Sequence, residues 1–399
     1  MTKNRKTIVS IAFAGTLITL GCAQALLQEK AEAQSEGAKV APYFEVDPFW
    51  PKPLPNHWIT GNAIGVDVDE RDHVFIVHRT EDDIFLDRRE IGLKLGGSEC
   101  CAPAPPILEF DPAGNLVNAW GGPSDEYVWP GSNHGIEVAP NGDIWIGGNG
   151  AAGHDSHILV FSRDGKYLRT IGKPEMGVDS NSTEHFSRVA EISFDVEAKE
   201  AYIADGYSNK RVAVVDMEKG NIKRYWGAYG NKPIDERISY NPENKELPKQ
   251  FVGPVHCAEP SSDGLVYVCD RGADRIQVFQ EDGTYVTEKQ ILPMTTVQGS
   301  VWDIAFSKDA GQKFMYVADG QNHRVHILDR KSLDILTTFG DGGRAPGLFF
   351  AVHSIVTDSK GNVYTTETYD GRRLQKFIYK GERAVTALNS GPAWPANKL

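Results

Sequence analysis

His134-Gly135-Ile136-Glu137-Val138 leads through Asn141-Gly142-Asp143 to Ile144-Trp145-Ile146, and then to Ile158-Leu159-Val160-Phe161. Apolar and polar residues alternate with the period of a strand, and turn residues separate the runs. The same phrase recurs along the chain. Gly65-Val66-Asp67-Val68-Asp69 leads to Val74-Phe75-Ile76-Val77. Glu191-Ile192-Ser193-Phe194 leads to Ala201-Tyr202-Ile203-Ala204 and Arg211-Val212-Ala213-Val214. His256-Cys257-Ala258 leads to Val266-Tyr267-Val268 and Arg275-Ile276-Gln277-Val278-Phe279. Trp302-Asp303-Ile304-Ala305-Phe306 leads to Met315-Tyr316-Val317-Ala318, and His353-Ser354-Ile355-Val356 to Val363-Tyr364 and Leu374-Gln375-Lys376-Phe377.

Six copies of three or four short strands define the architecture. One four-stranded sheet leaves both faces bare, whereas six stacked radially cover each other and leave only short edges. The reading is an all-β fold, a six-bladed β-propeller spanning 43–390 as one domain. Either 43–46 or 384–388 supplies the strand that closes the ring.

Composition agrees. The chain has 399 residues, 40% hydrophobic and 24% charged, with 40 Gly and 22 Pro, which is ordinary globular usage. A formal charge of −12 argues against a nucleic-acid partner, which needs a basic face. Lys3, Arg5 and Lys6 precede an apolar stretch over 8–20, followed by Ala23-Gln24-Ala25. That is the pattern of an export signal over 1–25, with Cys22 as an alternative lipid-anchored residue. A tether over 26–42 and a tail over 391–399 flank the propeller. The expected location is periplasmic or extracellular, with membrane contact only through the signal or a lipid anchor, and the expected state is a monomer. Export puts Cys100, Cys101, Cys257 and Cys269 in an oxidising compartment. Cys257 and Cys269 flank a turn and Cys100-Cys101 are adjacent; buried thiols and disulfides both fit, and none shows zinc-finger spacing.

Aligning the copies at the start of the innermost strand superposes Ile64, His134, Ala190, His256, Trp302 and His353. Histidine falls on blades 2, 4 and 6, about 120° apart around the axis of a six-fold ring. With 11 His in 399 residues, three chosen positions are all His by chance with odds on the order of 10⁻⁵. Three imidazoles at one height can share an ion and leave an outer position open, which is the pattern of a catalytic zinc site. His57, His73, His78, His154, His157, His185, His323 and His326 share no register and read as surface or packing residues.

The repeated phrase resembles the NHL repeat. More narrowly, the chain resembles the peptidyl-α-hydroxyglycine α-amidating lyase family, six-bladed zinc propellers. The supporting phrases are Gly65-Val66-Asp67-Val68-Asp69 with His78-Arg79, His134-Gly135-Ile136, Ala204-Asp205-Gly206-Tyr207-Ser208-Asn209, Pro254-Val255-His256 and Val352-His353. The resemblance implies Zn²⁺ on His134, His256 and His353. It also implies catalytic roles for Arg79 and Tyr207, which leave second strands on the histidine face. Residue by residue, Arg79 could instead pair with Glu81, Asp82 or Asp83, and Tyr207 could pack between blades. The family's structural calcium uses carbonyls at positions matching Val66 and Ile136 and an Asp after the third histidine. Here that residue is Ser354, which puts Ca²⁺ in doubt, and Asp67 or Asp303 could substitute from other blades. The family's disulfide beside the tyrosine is missing, because Ser208 stands there. Long insertions over 80–106 and 231–253 sit on the same face and can wall a substrate pocket.

The implied activity is C–N cleavage of a carbinolamide, giving an amide and an aldehyde such as glyoxylate. Tyr207 would act as base or proton shuttle, and Arg79 would steady a developing oxyanion or hold a substrate carboxylate. The substrate would be a small molecule or peptide. The alternatives are a zinc hydrolase with the same ligands, a lactonase-like propeller, and a non-catalytic exported NHL propeller binding a peptide, glycan or protein. Lactonase sites lean on carboxylates and Asn around calcium, and a scaffold has no use for a histidine ring in its channel.

Overall fold

A computed structural model describes residues 39–80, 86–151, 153–244 and 246–394. The export signal, the lipid-anchor cysteine and most of the expected tether lie outside these residues. Six four-stranded antiparallel sheets follow one another around the ring. Blade 1 runs Ala63–Val68, Val74–His78, Ile107–Phe110 and Leu116–Trp120 from the axis outward, and blade 2 runs Asn133–Val138, Ile144–Gly148, His157–Phe161 and Tyr167–Gly172. The inner strands of blades 3 to 6 are Val189–Asp195, Val255–Pro260, Asp303–Phe306 and Val352–Thr357. Apart from two 3₁₀ turns, Ala228–Gly230 and Arg271–Ala273, every regular element among the described residues is a strand. No described helix is long and apolar enough to cross a membrane.

Of the two segments proposed to close the ring, the N-terminal one does so. Val40–Asp47 pairs with Arg373–Ala384 as the outermost strand of blade 6. It begins at Val40, so the last residues assigned to the tether belong to the propeller. The alternative segment lies beside blade 5, where Thr338 donates to the Leu388 carbonyl at 2.8 Å. Residues 391–394 also dock: Ala393 is buried in the blade 5–6 core, and its carbonyl accepts from Val46.

Strand alternation builds the core. In blade 1, Val74 and Ile76 face blade 6 with Tyr364 and Leu374, while Phe75 and Val77 face blade 2 with Ile144 and Ile146. Each blade–blade contact has its own apolar cluster, and successive residues of one strand feed two of them. That is why no sheet is stable alone and the ring must close. Near the axis the inner strands approach closely: a Cβ on Gly135 would stand 2.9 Å from the Ala190 carbonyl oxygen, so this position requires glycine.

Buried ion pairs fix the second-to-third strand turns. Arg211 and Asp205 are both fully buried, with Nε donating to Oδ2 at 2.8 Å. Arg275 and Asp270 repeat the pair in blade 4 at 2.9 Å. The remaining oxygens hold main-chain N–H groups, Ser187 on Asp205 and Gly253 on Asp270. These carboxylates stand immediately before Gly206-Tyr207 and Arg271, and so set where those side chains leave the sheet. The four cysteines among the described residues are paired as Cys100–Cys101 and Cys257–Cys269.

Candidate metal centre

His134, His256 and His353 each occupy the second residue of an inner strand, on blades 2, 4 and 6. The strand register brings them to one height. Ring centroids are 4.8 to 5.1 Å apart in all three pairings, close to an equilateral triangle. One ligand nitrogen from each lies within 4.8 Å of the others. All three are buried.

Each imidazole is held by the next blade. His134 Nδ1 donates to the Ala190 carbonyl at 2.5 Å, His256 Nδ1 to the Trp302 carbonyl, and His353 Nδ1 to the Ile64 carbonyl at 2.7 Å. The acceptors are the three non-histidine residues of the same register. A carbonyl only accepts, so each Nδ1 carries the proton and each Nε2 presents a lone pair to the axis. Such outer-sphere bonds orient metal-binding histidines. Burial first, then repulsion from the other two rings and from Arg79, holds His134 well below the usual imidazole range. Burial and Arg271 do the same for His256, and burial, Arg271 and Arg79 for His353. Neutral, oriented and convergent imidazoles fit a zinc ion, whose nitrogen ligands stand about 2.0–2.1 Å from the metal.

Tyr207 stands over this triangle. Its hydroxyl is 2.9 Å from His134 Nε2 and 3.0 Å from His256 Nε2. Arg271 Nη1 donates to the same oxygen at 3.3 Å, and its guanidinium lies over Trp302, 4.5 Å from the ring centroid. Arg79 is buried, with Nε donating to the Asn133 carbonyl at 3.1 Å and Nη2 to Asn149 Oδ1 at 2.7 Å. The sequence therefore brings both named residues to the ring, but the guanidinium that touches Tyr207 is Arg271. Its signal was available: Arg79 and Arg271 each directly follow the second-strand residue paired to the residue before the register position, in opposite blades 1 and 4. The carboxylates weighed as partners for Arg79 lie outside the described residues. His78 is a packing residue, accepting from the Gly61 N–H and donating to the Pro105 carbonyl.

Below the histidines the channel turns acidic. Asp67, Glu137, Glu191, Glu259 and Asp303, from five blades, line a cavity of about 190 Å³. Three of them latch odd blades to even ones. Asp67 accepts from Val138 N–H at 2.7 Å, Glu191 from Ala258 at 3.2 Å and Asp303 from Ile355 at 2.9 Å. Burial pushes Asp67 and Asp303 up to about 6 and Glu259 to about 8. Ser354, where the resembled family has its calcium Asp, donates to the Ile64 carbonyl at 2.7 Å instead.

The chain matches no protein-family profile. It is 24% identical over 352 residues to NHL repeat-containing protein 3 of Mus musculus, covering 84% of each chain. It is 23% identical over 355 residues to peptidyl-glycine alpha-amidating monooxygenase A of Xenopus laevis, covering 86% of this chain and 34% of that protein. The chain is a six-bladed propeller similar to NHL repeat-containing proteins and, more distantly, to the amidating lyases. A probable peptidyl-alpha-hydroxyglycine alpha-amidating lyase of Caenorhabditis elegans is 27% identical over 146 residues, 37% of this chain and 36% of that protein. A solved protein of unknown function from Bacteroides thetaiotaomicron superposes with a TM-score of 0.52 at 13% identity, over 86% of this chain and 77% of that one. That match speaks for the fold alone. The observations that bear on activity and metal use are the similarity to these amidating relatives and the three-histidine cluster.

Proposed function

We propose that the protein is a zinc-dependent lyase that cleaves the C–N bond of a carbinolamide. The observation that carries this reading is the tyrosine hydroxyl standing within hydrogen-bond reach of two of three convergent imidazoles. His134, His256 and His353 would hold the ion. Zinc, when bound in such a site, supplies a Lewis acid that acidifies a hydroxyl at its open position.

The chain's own groups account for the rest. In R–CO–NH–CH(OH)–COO⁻ the hydroxyl loses its proton, the C–O bond becomes C=O, the C–N bond breaks and the nitrogen takes up a proton. Amide and glyoxylate result with no net proton change. Tyr207 is placed to relay that proton from oxygen to nitrogen. Arg271 holds the Tyr207 hydroxyl in place by donating to it and stabilises negative charge developing there. Arg79, across the ring, adds a second positive charge to the same face. The two disulfides support the expected exported location. Glyoxylate release from α-hydroxyhippurate by zinc-loaded protein tests the activity. Release that is lost in His256→Ala is expected; tight zinc binding without release points to a hydrolase or another substrate.

A further inference from the structure

A second guanidinium, besides that of Arg271, faces the Tyr207 ring. Arg188 stands two residues before Ala190, whose carbonyl orients His134. Its backbone has φ +66°, a left-handed conformation that costs energy for any residue with a Cβ. Three bonds hold it there. Its N–H donates to the Asp155 carbonyl at 2.7 Å, its carbonyl accepts from the Tyr207 N–H at 3.2 Å, and its Nε donates to the Asn149 carbonyl at 3.0 Å. Asn149 also binds Arg79 through its side chain, so one residue ties two of the arginines together.

The guanidinium carbon of Arg188 lies 5.5 Å from the Tyr207 ring centroid, and that of Arg271 lies 5.6 Å away. Among the described residues no carboxylate pairs with either arginine, and the terminal nitrogens of Arg188 make no hydrogen bond. Arg188 is only half-buried, so those nitrogens can meet a ligand. This occurs in a chain with 54 acidic and 42 basic residues, where the buried Arg211, Arg275 and Arg330 each pair with an acid. A positioned, unfilled arginine fork matches a carboxylate bidentately.

We propose that Arg188 is the specificity residue that reads a carboxylate on the substrate, selecting carbinolamides that carry one on the carbinol carbon over uncharged ones. This deepens the lyase reading and rests on it for the reaction. The test compares α-hydroxyhippurate with N-(hydroxymethyl)benzamide, which releases the same benzamide but has no carboxylate. In Arg188→Leu the kcat/KM preference for α-hydroxyhippurate falls about 10- to 100-fold, mostly through KM, and Arg188→Lys recovers part of it. Equal losses on both substrates, or no loss on either, would overturn the assignment.

A binding measurement separates this proposal from the lyase reading. Calorimetry of zinc-loaded wild type, Arg188→Leu and Arg188→Lys with hippurate and with hippuramide needs no turnover. Wild type is expected to prefer hippurate, and Arg188→Leu to lose that preference. Absence of glyoxylate release from wild type, with the hippurate preference intact, would sink the lyase and leave Arg188 as an anion reader. Equal binding of the two ligands by wild type would sink Arg188 whatever the activity.

Discussion

His353 on the last blade donates its Nδ1 proton to the carbonyl of Ile64 on the first, 2.7 Å away and 289 residues earlier in the chain. The side chain proposed to bind metal is therefore also a latch across the seam of the ring. Metal binding and ring closure should report on each other. Zinc at 100 to 1,000 times its dissociation constant adds about 2.7–4.1 kcal/mol to stability. Wild type should unfold at a distinctly lower temperature after chelation. His353→Ala should unfold at one temperature with or without zinc, as read by calorimetry.

Tyr207→Phe removes one oxygen and leaves every imidazole in place. Zinc content is expected to stay at the wild-type level, while turnover of α-hydroxyhippurate drops about 10²- to 10⁴-fold. Metal analysis and steady-state kinetics on one preparation check both halves. Loss of zinc with the hydroxyl would mean that Tyr207 belongs to the metal's support rather than to proton transfer.

Asp205→Ala leaves the fully buried Arg211 without its carboxylate. The expected cost is about 3–5 kcal/mol in urea unfolding. The same carboxylate anchors the Ser187 N–H beside Arg188, so the variant should also weaken substrate binding.

The channel carboxylates set a pH dependence of opposite sign to ordinary acid denaturation. Asp303 rises by burial from 3.8 to about 6, and Glu259 from 4.5 to about 8. Between those values the folded protein binds more protons than the unfolded chain. These groups therefore make stability fall as pH rises, by up to about 1.4 kcal/mol per pH unit for each group. Carboxylates held low, such as Asp263 at about 2 beside Arg330, act below pH 4 with the reverse sign. The buried imidazoles, held low, act with the reverse sign below about pH 6.5 in wild type and variant alike. Urea unfolding in chelator at pH 4, 5, 6 and 7 should therefore show the stability difference between wild type and Asp303→Asn shrinking as pH rises from 4 to 6.

The period-2 runs and their spacing carried the blades, because each strand's alternation directly encodes two neighbouring interfaces. The histidine register was legible for the same reason: one position per repeat is one height in the channel. Tyr207 and Arg79 came from family resemblance. Arg271 was missed although its offset in blade 4 equals that of Arg79 in blade 1, because no phrase drew attention to it. Arg188 was not legible at all. Its placement depends on a left-handed backbone and on Asp155 and Asn149 in the neighbouring blade, none of which a strand pattern encodes. The acidic channel was half legible: Asp67 and Asp303 were named, whereas Glu137, Glu191 and Glu259 looked like ordinary polar strand positions until the inner strands met around one axis.

Zinc content and coordination of the purified protein test the central claim most directly. After zinc loading and exhaustive dialysis, wild type should hold about one zinc per chain, with X-ray absorption showing three imidazole nitrogens and an exchangeable lighter ligand. His134→Ala should hold none. A wild type that retains no zinc, or a variant that retains as much as wild type, would contradict the account.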